Sequence, residues 1–405
     1  MKGIKAVLAS IIIAKEVDMC LSGHSEEYTL YELCASPENS EEPQQDPETG
    51  DEVPDHGNTK QENSKKPTTK LRRSFRPIIL CFALMLGLGF LHAQFEGSIT
   101  LNTTYTDNVF QLSDYDLDRF EANHPYLEFA KSTDDLTMHT QIDLAYPLRY
   151  RWWKFTPSVT ATLSQNVANQ DCYRRDFGSR LKIERYYWNA TLQYAYHPNI
   201  YVRHYVDSDG SGKPEKYAYE RDLYRADIQI KPISKTTVKF SGQFENRYLN
   251  EYWTEDDAEL MTIGAGLRYR FSTFTLDADY SFRTSDNVNK TESRDASYES
   301  DRYEFGFRTA HITLHDKKGL RINWYPALDL SYEERFYQGK DTWYGGREDN
   351  IYSTNASLNF VLNQNININL DYTHLFRNVD SPNGTVVQLK EYTENQIGFG
   401  LKYSF

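Results

Sequence analysis

The chain has 405 residues, a net charge of −13 and a mean hydropathy of −0.71. Downstream of residue 91 no apolar run reaches the roughly 18 residues a spanning helix needs, which excludes helical membrane spans. The acidic balance leaves no footprint for nucleic acid. A β-barrel is not excluded, because only every second residue of its strands meets lipid. The aromatic fraction is 14%, and all but two of the 31 tyrosines, with all six tryptophans, follow residue 93. Side chains with an apolar ring and a polar tip suit a membrane interface.

In chain order, residues 1–70 form an extension whose stretch 36–70 is rich in Pro, Glu, Asn and Lys, a composition that cannot bury a core. This segment is expected to be disordered and to precede the true start of the protein, near Leu71. Arg72, Arg73 and Arg76 then lead into the apolar run 77–91, which ends in Leu91-His92-Ala93. That order of basic, apolar and small residues predicts a signal peptide over 71–93 and a mature chain from Gln94. Cys20, Cys34 and Cys81 precede the predicted cut, so Cys172 is left alone, and neither a disulfide framework nor a cysteine metal site can form in the mature chain.

From residue 94 onward the dominant signal is alternation with period two, which places one set of residues on each face of a strand. Strands are expected at about 97–108, 135–147, 154–165, 176–186 and 189–202. In the next one, 223–232, Tyr224, Ala226, Ile228 and Ile230 oppose Arg225, Asp227, Gln229 and Lys231. After a turn at 233–236, Val238, Phe240 and Phe244 oppose Lys239, Ser241, Gln243, Glu245 and Arg247. The following hairpin sets Ile263, Ala265, Leu267 and Tyr269 against Gly264, Gly266, Arg268 and Arg270, then Leu276, Ala278, Tyr280 and Phe282 against Asp277, Asp279, Ser281 and Arg283.

A further hairpin joins Tyr303, Phe305 and Phe307 to Ile322, Trp324, Leu328 and Leu330 through His315-Asp-Lys-Lys-Gly319. Another joins Ala356, Leu358 and Phe360 to Ile366, Ile368 and Leu370. The last strand, 390–405, puts Ile397, Phe399, Leu401, Tyr403 and Phe405 on one face. The count is fourteen, within a range of about 12–16, and an even number returns the chain to the side from which it entered. Short connections fall near 149–153, 186–188, 232–236, 271–274, 315–320 and 363–365. Long ones fall near 109–134, 166–175, 203–221, 249–260, 284–301, 334–350 and 376–390. Within the first long one, 124–131 is a candidate extra strand. The fold class is therefore all-β, a transmembrane antiparallel up-and-down barrel over 94–405.

The expected inward face mixes Arg225, Lys239, Arg247, Arg268, Arg270, Arg283 and Arg308 with Asp227, Glu245, Asp277, Asp279 and Glu304. Neighbouring strands should pair these charges across the wall. Since neither sign dominates, the lining predicts weak ion selectivity. Asn363, Asn365, Asn367, Asn369 and Asp371 add inward amides that hydrate the wall or hold a sugar. At fourteen strands a barrel is wider than those filled by side chains alone and narrower than the 16 to 18-stranded porins, so a water-filled pore is geometrically allowed.

Three further motifs weigh less. Asp207-Ser-Asp-Gly-Ser-Gly212 resembles part of a calcium turn, but Tyr205 and Lys216 stand at the flanking ligand positions, and a solvated turn is expected. The acidic loop residues Asp114, Asp116, Asp118, Glu255, Asp256 and Asp257 offer a divalent-cation bridge to lipopolysaccharide. His204 with Asp207 and Asp209, and His374 with Asp371, are the nearest approach to an acid-base pair, yet no serine stands beside a histidine in a nucleophile motif. No enzyme, cofactor or metal site is predicted.

The signal, the alternating strands, the contrast of short turns with long loops, and the terminal Tyr403-Ser-Phe405 together resemble Gram-negative outer-membrane β-barrels. The resemblance covers residues 94–405. It implies an integral outer-membrane location with the carboxyl terminus and short turns in the periplasm and the long loops outside. It also implies contact with outer-membrane lipid and lipopolysaccharide, and Phe405 as the signal read by the barrel-assembly machinery. Thr104-Tyr-Thr-Asp-Asn-Val-Phe110 is similar to the first strand of barrels that follow helical-repeat domains in surface-protein exporters, although no helical repeat precedes it here. The function expected is a passive, weakly selective diffusion channel for small polar solutes. The alternative is a non-conducting surface barrel whose long loops bind a partner or stabilise the membrane.

Overall fold

The computed structural model describes residues 95–206, 213–288, 290, 295–315 and 321–405. The expected extension 1–70, the signal peptide 71–93, the Asp207 to Gly212 motif and the turn residues 316–319 lie outside the described residues. The remainder folds into fourteen long strands: β1 (Glu96–Thr106), β2 (Asp135–Ala145), β3 (Trp153–Asn166), β4 (Arg174–Arg185), β5 (Trp188–Val206), β6 (Pro214–Ile233), β7 (Thr236–Leu249), β8 (Ala258–Arg270), β9 (Phe274–Asn287), β10 (Tyr298–Thr309), β11 (Arg321–Tyr337), β12 (Glu348–Val361), β13 (Ile366–Asp380) and β14 (Tyr392–Ser404). Two short strands extend the turns, Leu148–Tyr150 against β3 and Ile312–His315 against β11.

Each long strand pairs antiparallel with its sequence neighbours, and β1 closes on β14. Closure removes the two free edges that an open sheet would leave in lipid, where an unpaired peptide group costs several kcal/mol. The register at the seam matches the alternation: Ile99 stands opposite Tyr403, Leu101 opposite Leu401, Thr103 opposite Phe399 and Tyr105 opposite Ile397. Ile99, Leu101, Ile397, Phe399 and Tyr403 are exposed on the outside, while Ser98, Thr100, Thr104, Gln396, Gly398 and Gly400 are buried inside.

Aromatic side chains mark both rims. At the short-turn end Tyr150, Trp152, Tyr186, Tyr187, Phe271 and Phe405 are exposed, with Trp152 and Tyr186 at 5.9 Å and Trp153 and Trp188 at 5.5 Å. Toward the long loops a row of rings crosses five strands, Tyr280, Tyr303, Tyr332, Tyr352 and Phe376, at centroid spacings of 5.4, 6.3, 4.9 and 6.1 Å. Hydroxyls in this belt find acceptors: Tyr280 donates to Asp301, Tyr332 to Asn350 and Tyr372 to Asn395. This is the geometry in which an amphipathic ring keeps its body in the apolar band and its tip in the polar layer. Replacing the outward Ile263, midway along β8, with Arg is expected to destabilise the folded barrel by roughly 2–4 kcal/mol in lipid. An unfolding midpoint in vesicles unchanged by Ile263→Arg would place that face away from lipid.

Several expected loops are strand. β5 and β6 carry through most of 203–221, β10 and β11 reach into 284–301 and 334–350, and β13 enters 376–390. Alternation failed there for a physical reason. Register shifts between His197 and Ile200 and between Tyr201 and Arg203 change the phase of β5, and above the lipid band both faces carry aromatic and charged residues. The segment 124–131 is not a strand; it holds a 3-10 turn at Pro125–Leu127 that follows helix α1 (Asp114–Glu121). A second helix, α2 (Gly384–Lys390), precedes β14. Asn363 and Asn365 are turn residues rather than lining. Asn363 Oδ1 accepts the backbone N–H of Asn365 and Ile366, and Asn365 Nδ2 donates to the Ser404 carbonyl.

Candidate functional site in the barrel lumen

The inward face of the middle strands is a ladder of charge pairs. Lys239 Nζ lies 2.6 Å from Asp277 Oδ1 and 2.7 Å from Asp279 Oδ2. Arg268 Nε donates to Asp277 Oδ1 at 2.9 Å, and Arg225 Nε to Asp227 Oδ1 at 2.9 Å. Glycines make room for these carboxylates: Asp279 stands opposite Gly266, Asp277 opposite Gly306 and Asp371 opposite Gly398. A Cβ at Gly266 would collide with the Asp279 carboxylate, so a glycine across the ladder lets the acid lie flat against the wall. Arg225, Lys239, Asp279, Arg283, Arg302 and Glu304 line one cleft of about 80 Å³. Arg270 and Arg308 are not in it; they flank Thr275 at the short-turn end, with Arg270 exposed.

Nearer the long loops a second tier of pairs is more deeply buried. Arg247 Nε donates to Glu245 Oε1 at 2.7 Å. Glu333 accepts from Arg335 Nε at 2.7 Å and also faces Arg302 and Arg283 at 3.5 and 3.7 Å. Asp349 is held by Arg347 at 3.0 Å and by Arg377 at 2.7 Å. On the other side of the barrel Asp176 meets Arg174 Nε at 2.8 Å and His197 Nδ1 at 2.6 Å, while His197 Nε2 faces Arg221 at 2.9 Å. A guanidinium can only donate, so Nε2 accepts and Nδ1 carries the proton to Asp176.

Sequence reading reached Glu245, Arg247 and Arg283 but missed the rest of this tier. A usable signal is present: Arg174 and Asp176, Arg225 and Asp227, Glu245 and Arg247, Arg302 and Glu304, Glu333 and Arg335, and Arg347 and Asp349 are opposite charges two residues apart. On a strand that spacing puts both on one face.

Above the second tier the mouth is apolar. Ile200, Tyr219, Leu249, Leu260, Tyr298, Tyr337 and Val379 turn inward from the strand ends and meet Trp253, Trp343, Tyr344 and Val386 from the connecting segments. Trp253 and Val386 are 0% exposed. A separate cluster under the first loop gathers Phe110, Leu112, Leu127, Ala130 and Tyr201. The long connections therefore fold over and into the opening. Two acidic residues expected at the surface are part of this packing. Asp116 is buried and paired with Arg119 and Arg203 at 3.3 and 3.6 Å, and Asp256 is fully buried. His374 and Asp371 point to opposite faces, with His374 Nδ1 against Asn395 Oδ1 at 2.9 Å, so they form no acid-base pair. Among the described residues no group of three His, Cys, Asp or Glu side chains is placed to hold a metal ion.

Lys390, at the end of α2, is 4% exposed and sits over the Trp343 ring at 5.6 Å. Burial pushes its ammonium well below the ordinary lysine pKa, and Arg203, Arg347 and Arg377 push the same way against the pull of Asp116. Because the folded-state value is depressed, the charged form opposes folding below that value, and the penalty fades as pH rises toward the unfolded value. Lys390→Met keeps the aliphatic length and removes the charge. It is expected to raise the unfolding midpoint at neutral pH, with the gain shrinking as pH approaches 10. A lower midpoint at neutral pH would show that the ammonium stabilises the mouth.

A closed antiparallel barrel, with apolar residues outside, two aromatic belts and a charge-paired lining, defines a porin-like outer-membrane β-barrel. Neither a protein-family model nor a curated protein sequence matches the chain. Several solved structures are remotely similar to the chain. An anion-selective porin from Comamonas acidovorans is 8% identical, with 77% of this chain and 99% of that one covered and a TM-score of 0.38. A bacterial polysaccharide outer membrane secretin is 10% identical over 78% of this chain and 99% of that one, with a TM-score of 0.41. The outer membrane channel DcaP of Acinetobacter baumannii is 12% identical over 77% and 97%, with a TM-score of 0.40.

Proposed function

We propose that the protein is a passive, weakly ion-selective diffusion channel for small polar solutes, with its flux limited by the segments folded over the long-loop mouth. The observation that carries this reading is the lining. Fourteen strands enclose an interior walled by charge pairs rather than by an apolar core, and a polar interior is the lining a path for water and polar solutes requires. Lys239, Arg268 and Arg225 are each matched by carboxylates, so neither sign of ion is strongly favoured. In this reading the short turns and the carboxyl terminus face the periplasm and the long loops face outward. The outer belt contacts lipid and lipopolysaccharide. Phe405, exposed beside β1 with its backbone bonded to Gly97 in both directions, serves as the assembly signal.

The apolar cluster at the mouth favours a second reading, a non-conducting barrel whose loops meet a partner. The two separate in a planar bilayer. Full-length protein, shown folded by heat-modifiable gel mobility, is expected to give ohmic steps with a reversal potential close to zero in a tenfold salt gradient. Silence from folded protein would overturn the channel, and a reversal potential near the Nernst limit would overturn weak selectivity.

A further inference from the structure

Under the first loop lies a cavity of about 140 Å³ inside the barrel, walled by β14, β1, β2 and β3 and roofed by the residues that follow β1. Its lining combines two chemistries. One part is apolar and aromatic, with Val109, Phe110, Cys172, Ile200 and Tyr201. The other is rich in acceptors and centres on Glu394, 3% exposed. The Glu394 carboxylate takes hydrogen bonds from Thr106 Oγ1 at 2.7 Å, Gln396 Nε2 at 2.7 Å and Gln111 Nε2 at 3.0 Å. All three donors are neutral, and among the described residues no Lys, Arg or His pairs with this carboxylate. Arg174 also borders the cavity, but its charge is met by Asp176 at 2.8 Å.

Two further acceptors lie beside Glu394. Gln111 and Gln396 each spend their amide N–H on the carboxylate, and each leaves its Oε1 buried with no hydrogen-bond partner in the protein. Both residues are more than nine-tenths buried and border the cavity. Gln111 also adopts φ +50, a left-handed backbone that is uncommon outside glycine. Its backbone is fixed by Asn108, whose side chain accepts the Leu112 N–H at 2.8 Å and donates to the Leu112 carbonyl at 2.8 Å.

An unpaired buried carboxylate with two orphan carbonyl oxygens calls for a guest that brings positive charge and N–H donors. The apolar part of the lining, with Val109, Phe110, Ile200 and Tyr201, calls for an apolar body. The volume suits a single six-membered ring, since a cavity of about 150 Å³ accepts benzene. We propose that this cavity is a binding site for a small organic cation, a primary ammonium on a ring-sized apolar body, with the ammonium on Glu394, Gln111 Oε1 and Gln396 Oε1. Such a site discriminates among solutes whether or not the barrel conducts.

The test uses the full chain folded in detergent micelles and isothermal titration with three probes at neutral pH: cyclohexylammonium, cyclohexanol and glucose. Cyclohexylammonium is expected to bind at least tenfold more tightly than either neutral probe. Glu394→Gln should weaken it at least tenfold, and Cys172→Trp, which fills the apolar part while leaving the carboxylate, should block it. Should Glu394→Gln fail to fold, the comparison of charged and neutral probes on the unaltered chain and the Cys172→Trp variant still decide. Equal binding of cyclohexanol and cyclohexylammonium would overturn the proposal. So would tighter binding of glucose, no heat from any probe at millimolar concentration, or amine binding that survives the variants.

Discussion

Asp349→Asn should lower the stability of the folded barrel by about 3–5 kcal/mol, the cost of breaking a buried ion pair from one side. Asp349 is 0% exposed and is the shared acceptor of Arg347 and Arg377, each 1% exposed. Asparagine keeps the shape and removes the charge, so two guanidinium groups lose their counter-ion without a cavity being created. The loss should reach beyond the triad. Arg347 lies over the Tyr337 ring at 4.5 Å, its carbonyl accepts the Tyr337 N–H at 3.1 Å, and its own N–H reaches the Tyr344 carbonyl at 3.1 Å. The triad therefore fastens the segment between β11 and β12 to the wall. Urea titration in micelles, followed by tryptophan fluorescence and gel mobility, measures the effect. A shift below about 1 kcal/mol would mean that solvent reaches Arg347 and Arg377 and that the triad is not a buried unit.

The same residues show what was legible in the sequence and what was not. The barrel could be read because its outward face is a long repetition of one simple rule, and the last strand from Ile397 to Phe405 states it without interruption. Fourteen strands, the paired short turns and the inward placement of Arg225, Lys239, Asp277 and Asp279 follow from phase alone. The mouth could not be read this way. In β5 the register shifts after His197 and Tyr201 move later residues to the other face. The shift brings Ile200 inward, while Tyr219 and Tyr337, in phase with the inward Arg221 and Arg335 of their own strands, put aromatic rings where the alternation rule expects polar side chains. Asp116 and Asp256 looked like solvated loop acids because nothing local in the sequence announces that Arg203 or the cluster around Trp253 will bury them. The contact that unites Glu394 with Thr106 and Gln111 spans more than 280 positions and exists only because the barrel closes.

The segment over the mouth should yield to a change that leaves the wall intact. Trp343 is 4% exposed, packs with Tyr337, Tyr344 and Val386, and lies beneath the Lys390 ammonium. Asp341 Oδ1 fixes its position by accepting the backbone N–H of Trp343 at 2.7 Å and of Tyr344 at 2.9 Å. Truncating a buried Trp to Ala costs about 3–5 kcal/mol. Here most of that cost falls on the attachment of the covering segment, because the strand ladders of β11 and β12 do not pass through Trp343. At about 1.4 kcal/mol per tenfold, a loss of 3 kcal/mol multiplies the population of an uncovered mouth more than a hundredfold. Under the channel reading, Trp343→Ala is expected to raise open probability or unit conductance several-fold while the urea midpoint of the barrel moves little. Asp349→Asn should shift both. Conductance that stays the same in Trp343→Ala would show that the solute path does not run beneath this segment. A collapse of the urea midpoint together with it would show that the apolar mouth is part of the core that holds the cylinder, rather than a cover placed on it.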